Sequence, residues 1–129
     1  MNNPNRSFTD LEAWKAARKL KNKIWRLTRS FPSEEKYRLT DQILRSSRSV
    51  SAVIAEGHGR FTYKEQINFC VIARGSLNET LNHLIDAMDC QYISKEDLAL
   101  FKCDIDETGK LLNGYITYLR KNINTEKKQ

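Results

Sequence analysis

Apolar residues recur every three or four positions along most of the chain, which is the spacing of one face of an α-helix. The first apolar stripe begins just after Thr9-Asp10-Leu11-Glu12, a capping-box pattern in which Thr9 caps a free backbone N–H and Glu12 reaches back. Pro32 follows the stripe. We therefore predict a first helix from this box to about Ser30. Its inward positions are Ala13, Ala17, Leu20, Ile24, Leu27 and Phe31.

The same pattern predicts three further helices. The second covers residues 40–56, after a connector over residues 33–39, and Gly57 and Gly59 end it. Capping patterns at Thr62-Tyr63-Lys64-Glu65 and Ser94-Lys95-Glu96-Asp97 open the third and the fourth. The inward positions are Ile43, Ser47, Val50 and Ile54 in the second helix; Ile67, Cys70 or Val71, Arg74, Leu77, Leu81, Leu84 and Met88 in the third; and Leu98, Phe101, Ile105, Thr108, Leu112, Tyr115, Leu119 and Asn122 or Ile123 in the fourth.

The connections between these helices are short, which predicts that successive helices pack antiparallel as an all-α, up-down-up-down four-helix bundle. We assign residues 8–124 to the bundle and residues 1–7 and 125–129 to flexible ends. A length of 129 residues suits one domain. The chain has only 5 Gly and 2 Pro, too few turn-forming residues for an all-β fold.

The cysteines and the hydropathy of the chain bear on its location. Three cysteines at wide spacings cannot form a complete disulfide framework, which favours a reducing compartment. The first thirty residues contain no apolar run long enough for a signal peptide, and no 18-residue apolar stretch occurs anywhere. We therefore predict a cytoplasmic protein that does not enter a membrane.

The net charge of +6 is unevenly distributed along the chain. Residues 1–75 carry a net +8, residues 76–107 a net −6 and residues 108–129 a net +4. The densest basic segment, residues 15–29, contains seven Lys or Arg and no acid. This asymmetry indicates a phosphate-bearing partner or a protein of opposite charge, although a charge run by itself also fits a solvated helix face.

If the partner is a nucleic acid, its phosphates are the natural ligands of these cations. The candidate contacts are Lys15, Arg18, Lys19, Arg26 and Arg29, with Arg45, Arg48 and Arg60 as a second group.

Leu11, Trp14 and Trp25 lie at the flank of the first helix, in line with Arg18 and Lys21 rather than with the core stripe. Tryptophan and arginine are both enriched in protein interfaces, so we favour a subunit contact through Leu11, Trp14 and Trp25. Two other interpretations stay open. These residues could form a strip that stacks bases and binds phosphates, or the edge of a wide core.

Residue patterns typical of catalysis are absent from the sequence. It has two histidines, no Cys-x-x-Cys, no Gly-x-Ser-x-Gly and no phosphate-binding glycine loop. The spacing of His83, Cys90 and Cys103 matches no structural zinc site. The acids at residues 104–107 diverge around a helix, as on a solvated face. We therefore expect no enzymatic activity, no cofactor and no metal.

Arg74 falls within the apolar stripe of the third helix, so we predict that it is buried and needs an acidic partner. Glu56 and Glu79 are the candidate partners, and the predicted role of the ion pair is to fix the register of the helices. Gly75, next to Arg74, costs about 1 kcal/mol of helix propensity. Such a cost is tolerated where a neighbouring backbone comes close.

Four stretches carry a resemblance to a known family. They are Asp10-Leu11-Glu12-Ala13-Trp14-Lys15, Leu27-Thr28-Arg29-Ser30-Phe31-Pro32, Ile54-Ala55-Glu56-Gly57-His58-Gly59-Arg60 and Ile72-Ala73-Arg74-Gly75-Ser76-Leu77-Asn78-Glu79. In this order and at these spacings they resemble the bacterial S23 ribosomal proteins, also called 23S rRNA intervening-sequence proteins, over residues 8–119. The chain departs from the usual pattern at Arg38, where Gly is common. It also departs at residues 49–53, where Ser-Val-Ser-Ala-Val replaces Ser-Ile-Pro-Ser-Asn.

The resemblance implies a homo-oligomer, with a ring-shaped pentamer as the best-known assembly, and a link to ribosomal RNA intervening sequences. A related branch is the accessory variability proteins of diversity-generating retroelements. These have the same bundle and pentamer, bind nucleic acid through basic surfaces and work with a reverse transcriptase. No feature of the sequence separates the two branches.

We therefore predict a non-enzymatic, cyclic homo-oligomer that binds nucleic acid, above all structured RNA, through basic surface residues. The alternative is a ring-shaped scaffold that binds proteins, for example an accessory subunit of a reverse transcriptase.

Overall fold

Four α-helices contain most of the residues described by the structure, a computed structural model that covers residues 7–127. The helices are α1 (Glu12–Thr28), α2 (Leu39–His58), α3 (Tyr63–Asp89) and α4 (Lys95–Lys127). Residues 7–127 contain no strand, which confirms the all-α prediction. Helix α4 continues past the predicted end of the bundle at residue 124. Residues 1–6 and 128–129 of the predicted flexible ends lie outside the described residues.

The helices pack in four pairs: α1 with α2, α2 with α3, α3 with α4, and α1 with α4. Each contributes its apolar stripe to one shared core. The largest fully buried apolar side chains are Leu20, Ile24, Val50, Ile43, Ile54, Leu84, Leu112 and Leu119. Helix α2 runs without interruption through residues 49–53, where the chain lacks the family's proline.

The chain enters α1 through a 3₁₀ turn over Phe8–Asp10, and the predicted capping box at Thr9 is wrong. The hydroxyl of Ser7 accepts hydrogen bonds from the backbone N–H of Thr9 at 3.1 Å and from its hydroxyl at 3.0 Å. Leu11 takes the N-cap position in an extended conformation, without a side-chain cap. Glu12 pairs with Lys15 at 3.1 Å instead of reaching back. The Ser7 hydroxyl therefore engages Thr9, the residue that was predicted to cap the helix.

The other two capping predictions are confirmed. The Thr62 hydroxyl accepts a hydrogen bond from the N–H of Glu65 at 3.1 Å. At the start of α4, the Ser94 hydroxyl accepts from the N–H of Asp97 at 3.0 Å, and the Asp97 carboxylate accepts from the N–H of Ser94 at 3.3 Å. Each pair satisfies backbone donors that a helix N-terminus leaves free.

Polar side chains join the helices across the core boundary. The contacts are Lys23–Asp104 at 2.9 Å between α1 and α4, Ser46–Thr80 at 2.8 Å and Ser49–Ser76 at 3.0 Å between α2 and α3, and Gln66–Tyr115 at 2.9 Å between α3 and α4. Ser46, Thr80 and Gln66 are buried. Because a buried polar group without a partner is costly, these pairs constrain the register of the helices.

The closest approach at a glycine occurs at Gly57, not at Gly75. A Cβ built on Gly57 lies 2.6 Å from Cβ of Phe69 in α3, a distance that real Cβ atoms do not reach. A Cβ on Gly75 meets nothing within 4 Å. The expectation of a close backbone neighbour at Gly75 is therefore wrong for the single chain, and the packing of α2 against α3 depends on Gly57.

The three cysteines differ in accessibility. Cys70 is buried, whereas Cys90 and Cys103 are exposed. Burial raises the pKa of the Cys70 thiol to about 11. Because the thiolate is the reactive form, we expect two thiols to react quickly with an aromatic disulfide reagent at neutral pH and one only after unfolding. A Cys70→Ala variant should lose only the slow thiol. Three fast thiols in the native protein would contradict the burial of Cys70.

A hydrogen bond ties the α1–α2 connector, residues 29–38, to the connector that follows α3. The Tyr92 hydroxyl donates to the Glu35 carboxylate at 2.7 Å, and the N–H of Leu39 donates to the same carboxylate at 3.3 Å. Of these two contacts, the Tyr92 hydrogen bond has the larger effect, and together they lower the pKa of Glu35. The Glu35 carboxylate in turn raises the pKa of Tyr92 to about 12.

The Glu35–Tyr92 contact predicts a dependence of stability on acid. Because the folded pKa of Glu35 lies below its unfolded value, the contact stabilises the fold above the unfolded pKa, and this contribution is lost as the pH falls through the folded pKa. We expect Tyr92→Phe to raise the Glu35 pKa toward its ordinary value, which NMR titration of the carboxyl carbon measures. Tyr37→Phe, on the same connector, is the control. An unchanged Glu35 pKa in Tyr92→Phe would contradict the contact.

Candidate nucleic-acid interface

Five exposed cations, four in α1 and Arg29 as its C-cap residue, lie on the side of the helix that points away from the core. At about 100° of rotation per residue, they fall within an arc of about 100° centred opposite the buried stripe. They extend over about 21 Å of helix axis, at about 1.5 Å of rise per residue. All five were predicted to contact phosphates. We call them the α1 basic face: Lys15, Arg18, Lys19, Arg26 and Arg29.

Few carboxylates neutralise the α1 basic face. Lys15 pairs with Glu12 at 3.1 Å, and both side chains are exposed, a setting in which an ion pair is weak. Within the described part of the chain, no carboxylate lies within ion-pair distance of the other four cations. Lys23, from the same basic run, is turned toward α4 and pairs with Asp104 at 2.9 Å. The positive charge of the face is therefore available to a ligand.

Two members of the face lie over tryptophan rings. The guanidinium carbon of Arg18 is 5.7 Å from the centre of the Trp14 ring, and that of Arg29 is 4.8 Å from the centre of the Trp25 ring. Cation–π contacts of this kind contribute about 0.5–1 kcal/mol at exposed sites and limit the freedom of both side chains.

The second group of predicted cations is dispersed. Arg45 pairs with Asp41 at 3.1 Å on α2. Arg48 is exposed, and no described carboxylate lies within ion-pair distance of it. Arg60 follows the end of α2, where it pairs with Glu56 at 3.0 Å and covers the Phe69 ring at 4.7 Å. Among the described contacts, Arg48 is thus the one of the three that combines exposure with an unpaired charge.

The predicted buried ion pair of Arg74 is wrong. Arg74 is exposed, and its guanidinium donates a hydrogen bond to the Asn113 side chain at 2.9 Å. Glu56 pairs with Arg60, and Glu79 contacts His83 at 3.2 Å. The buried line of α3 passes through Ala73, and Arg74, about 100° further around the helix, points to the α4 side.

The residues predicted for a subunit contact fall into two classes. Leu11 and Trp14 are partly buried and pack against the core, with the Phe8 ring edge-on to Trp14 at 5.2 Å. They occupy the edge of the core, one of the three roles considered for them. Trp25 is 43% exposed and remains available to a partner.

Exposed apolar side chains on α3 were not predicted, and of the two alternatives for its inward stripe the structure buries Cys70 and exposes Val71. Val71, Ile72 and Ile85 are all exposed, Ile72 by 54%. They lie on the outer half of the helix, and Val71 and Ile72 lie within about one turn of the open surface at Gly75. Their signal was the excess of apolar residues in α3 beyond those of its inward stripe. Exposed apolar side chains grouped on one helix are typical of an interaction surface.

The described residues offer neither a metal site nor a membrane-spanning helix. Within the described residues, no three His, Cys, Asp or Glu side chains are arranged to bind a metal ion, including those at His83, Cys90, Cys103 and residues 104–107. None of the helices, as far as they are described, combines the length and hydropathy needed to span a membrane.

Comparison with known proteins gives a family and a fold. Residues 9–114 match the family described as 23S rRNA-intervening sequence protein. The chain is also similar to a crystal structure of a protein of unknown function from the S23 ribosomal protein family of Bacteroides thetaiotaomicron. The identity is 28%, the TM-score is 0.75, and the match covers 81% of this chain and 95% of that chain. No curated protein matches the chain. Since the family match covers most of the sequence and the structural match has the same fold, the chain belongs to the 23S rRNA-intervening sequence protein family, the S23 ribosomal protein family.

Proposed function

We propose that this protein binds structured RNA in the cytoplasm through the α1 basic face and catalyses no reaction. The observation that carries the proposal is that five cations lie on one exposed side of α1 and its C-cap, and that among the described residues only Lys15 of the five is paired with an acid. Phosphate groups are the ligands that such a surface attracts most strongly. The family description, which refers to 23S rRNA, favours RNA as the phosphate-bearing partner.

The dimensions of the face suit a nucleic-acid backbone. A length of about 21 Å corresponds to about six steps along one strand of a duplex, at about 3.4 Å per step. Contacts to phosphates supply affinity and position but little information about sequence. We therefore infer that the α1 basic face recognises the shape and charge of the RNA rather than a particular sequence.

Salt dependence tests this proposal. Five phosphate contacts give a slope of log affinity against log salt of about −3.5 on a single strand and about −4.5 on duplex DNA, because each contact releases counterions. We expect a slope of this size for an RNA hairpin, measured by fluorescence anisotropy. Arg26→Gln should make the slope less steep by about 0.7 to 0.9, which is the contribution of one phosphate contact. Lys110→Gln on α4 should leave the slope unchanged. Absence of binding at low salt would contradict the proposal.

We also propose that the chain forms a cyclic homo-oligomer of up-down-up-down bundles, with five subunits as the family resemblance implies. The Ser46–Thr80 and Ser49–Ser76 contacts support antiparallel packing of α2 and α3, because positions that rise in α2 meet positions that fall in α3. The exposed Val71 and Ile72 of α3 favour a contact between subunits. A contact between two different patches, repeated from subunit to subunit, closes a ring when the rotation between neighbours divides a full turn. Such a ring also suits the alternative function of a protein-binding scaffold, for example for a reverse transcriptase.

Sedimentation velocity tests the assembly. We expect a mass several times the 15.1 kDa of the chain, with five copies favoured. Ile72→Glu should lower the mass to that of a folded monomer, because a charge in the apolar centre of an interface is poorly tolerated. Leu100→Glu, at an exposed leucine of α4, is the matched control and should not change the mass. A parent protein that sediments as a monomer at micromolar concentration would contradict the assembly.

A further inference from the structure

Two aromatic rings are exposed near the α1–α2 connector, Trp25 in the last turn of α1 and Tyr37 on the connector itself. Trp25 lies three residues before the end of α1 and is 43% exposed. Tyr37 lies two residues before the start of α2 and is 83% exposed. Large rings are usually withdrawn from water in a folded domain, so two of them beside one short connector require a reason other than the core.

A cation lies over each of these rings. The guanidinium carbon of Arg29 is 4.8 Å from the Trp25 ring centre, and the ammonium of Lys36 is 5.3 Å from the Tyr37 ring centre. Arg29 is also a member of the α1 basic face. Trp25 is about 40° from Arg29 around the helix and therefore borders that face. The Trp25 ring and the phosphate-binding charge of Arg29 are thus adjacent on the same surface.

We propose that Trp25 and Tyr37, with Arg29 and Lys36, form a platform on which unpaired nucleotide bases stack. This inference rests on the proposed RNA binding by the α1 basic face and deepens it, because it specifies which part of an RNA the protein holds. Aromatic rings and guanidinium planes stack on the faces of bases. The bases of a continuous duplex are stacked on one another and cannot reach the platform. The ligand is therefore a loop, bulge or single-stranded segment whose backbone continues along α1.

The platform explains why the two kinds of side chain occur together. Phosphate contacts alone would allow the protein to bind a duplex as well as a single strand, because both carry phosphates. Stacking adds affinity only for bases that are free, and it does so for every base type, since each has a π face. A protein with both recognises unpaired regions of a structured RNA without reading their sequence.

Tryptophan fluorescence tests the platform directly. The chain has two tryptophans, so Trp14→Phe leaves Trp25 as the sole reporter. In this variant we expect oligouridylate to quench the emission of Trp25, and a blunt RNA duplex with the same number of phosphates to quench it far less. In the parent, Trp25→Leu should weaken oligouridylate binding by between about fivefold and about a hundredfold and leave duplex binding unchanged. Tyr37→Leu should act in the same direction.

Phe61→Leu is the matched control, because Phe61 is 98% exposed but lies on the α2–α3 connector, away from the platform. It should leave both affinities unchanged. Circular dichroism and sedimentation establish that each variant keeps the fold and the mass of the parent.

Three results would overturn the platform. Equal binding of duplex and single strand, with no effect of Trp25→Leu, would refute stacking and leave the salt-dependent function of the α1 basic face intact. A change of mass in Trp25→Leu without a selective loss of single-strand binding would place Trp25 in a subunit contact instead. Absence of binding to either RNA at low salt would refute the proposed function itself, and the platform with it.

Discussion

Simultaneous replacement of four members of the α1 basic face by glutamate is expected to abolish RNA binding. The variant carries Lys15→Glu, Arg18→Glu, Lys19→Glu and Arg26→Glu. Each change removes a phosphate contact and adds a repelled charge, so we expect affinity to fall by about a hundredfold or more at low salt. Anisotropy with a labelled RNA hairpin measures the loss. Helicity should be retained, because the four side chains are exposed and point away from the core.

A second charge reversal of equal size controls for net charge. Lys64, Lys110, Arg120 and Lys121 are exposed cations of α3 and α4. Replacing all four by glutamate changes the net charge by the same amount but leaves the α1 basic face intact. We expect this control to bind RNA with a much smaller loss. Unchanged affinity in the α1 variant, or an equal loss in both, would contradict a specific role for α1.

Alanine at two glycines is expected to change stability in opposite directions. At Gly57 the new methyl group would lie 2.6 Å from Cβ of Phe69, which moves only with the backbone of α3. Overpacking of this kind costs about 1–3 kcal/mol, which offsets or exceeds the gain of about 1 kcal/mol in helix propensity. At Gly114 the added Cβ meets nothing within 4 Å. Gly114→Ala should therefore stabilise the protein by up to about 1 kcal/mol.

Urea unfolding of the two variants measures the difference. A lower midpoint for Gly57→Ala and a higher one for Gly114→Ala, with similar slopes, is the expected result. Equal stabilisation by Gly57→Ala and Gly114→Ala would mean that α2 and α3 are farther apart at Gly57 than the structure places them. Gly57→Ser should resemble Gly57→Ala, because its Cβ meets the same atom.

The periodicity of apolar residues was sufficient to predict the four helices, since it is a local property that each segment carries by itself. The exact starts of the helices were less predictable. Two capping patterns were confirmed at Thr62 and Ser94. The pattern at Thr9 did not form, because the Ser7 hydroxyl binds the backbone N–H and the hydroxyl of Thr9. A cap depends on a few hydrogen bonds of similar energy, so one nearby hydroxyl is enough to move a helix start.

Much of the candidate interface was also predictable, because seven cations within residues 15–29 cannot all face the core of a helix. The sequence by itself determined that α1 is amphipathic and basic on its outer side. The distribution of charge over the rest of the surface was harder to predict, since Lys23 pairs with Asp104 of α4, a partner far away in the sequence that only folding brings near.

Only the tertiary structure decided which of two neighbouring positions on a helix faces the core. In α3 the stripe could be drawn through Ala73 or through Arg74, which differ by about 100°, and the packing of α2 and α4 selects Ala73. The same packing leaves Val71 and Ile72 exposed. Leu11 and Trp14, at the start of α1, are partly buried at the edge of the core. Periodicity defines a face only to within about one residue, whereas contacts with two neighbouring helices define it completely. The helices and their basic face are thus local properties of the chain, and the partners of Arg74 and the exposure of Trp25 are properties of the fold.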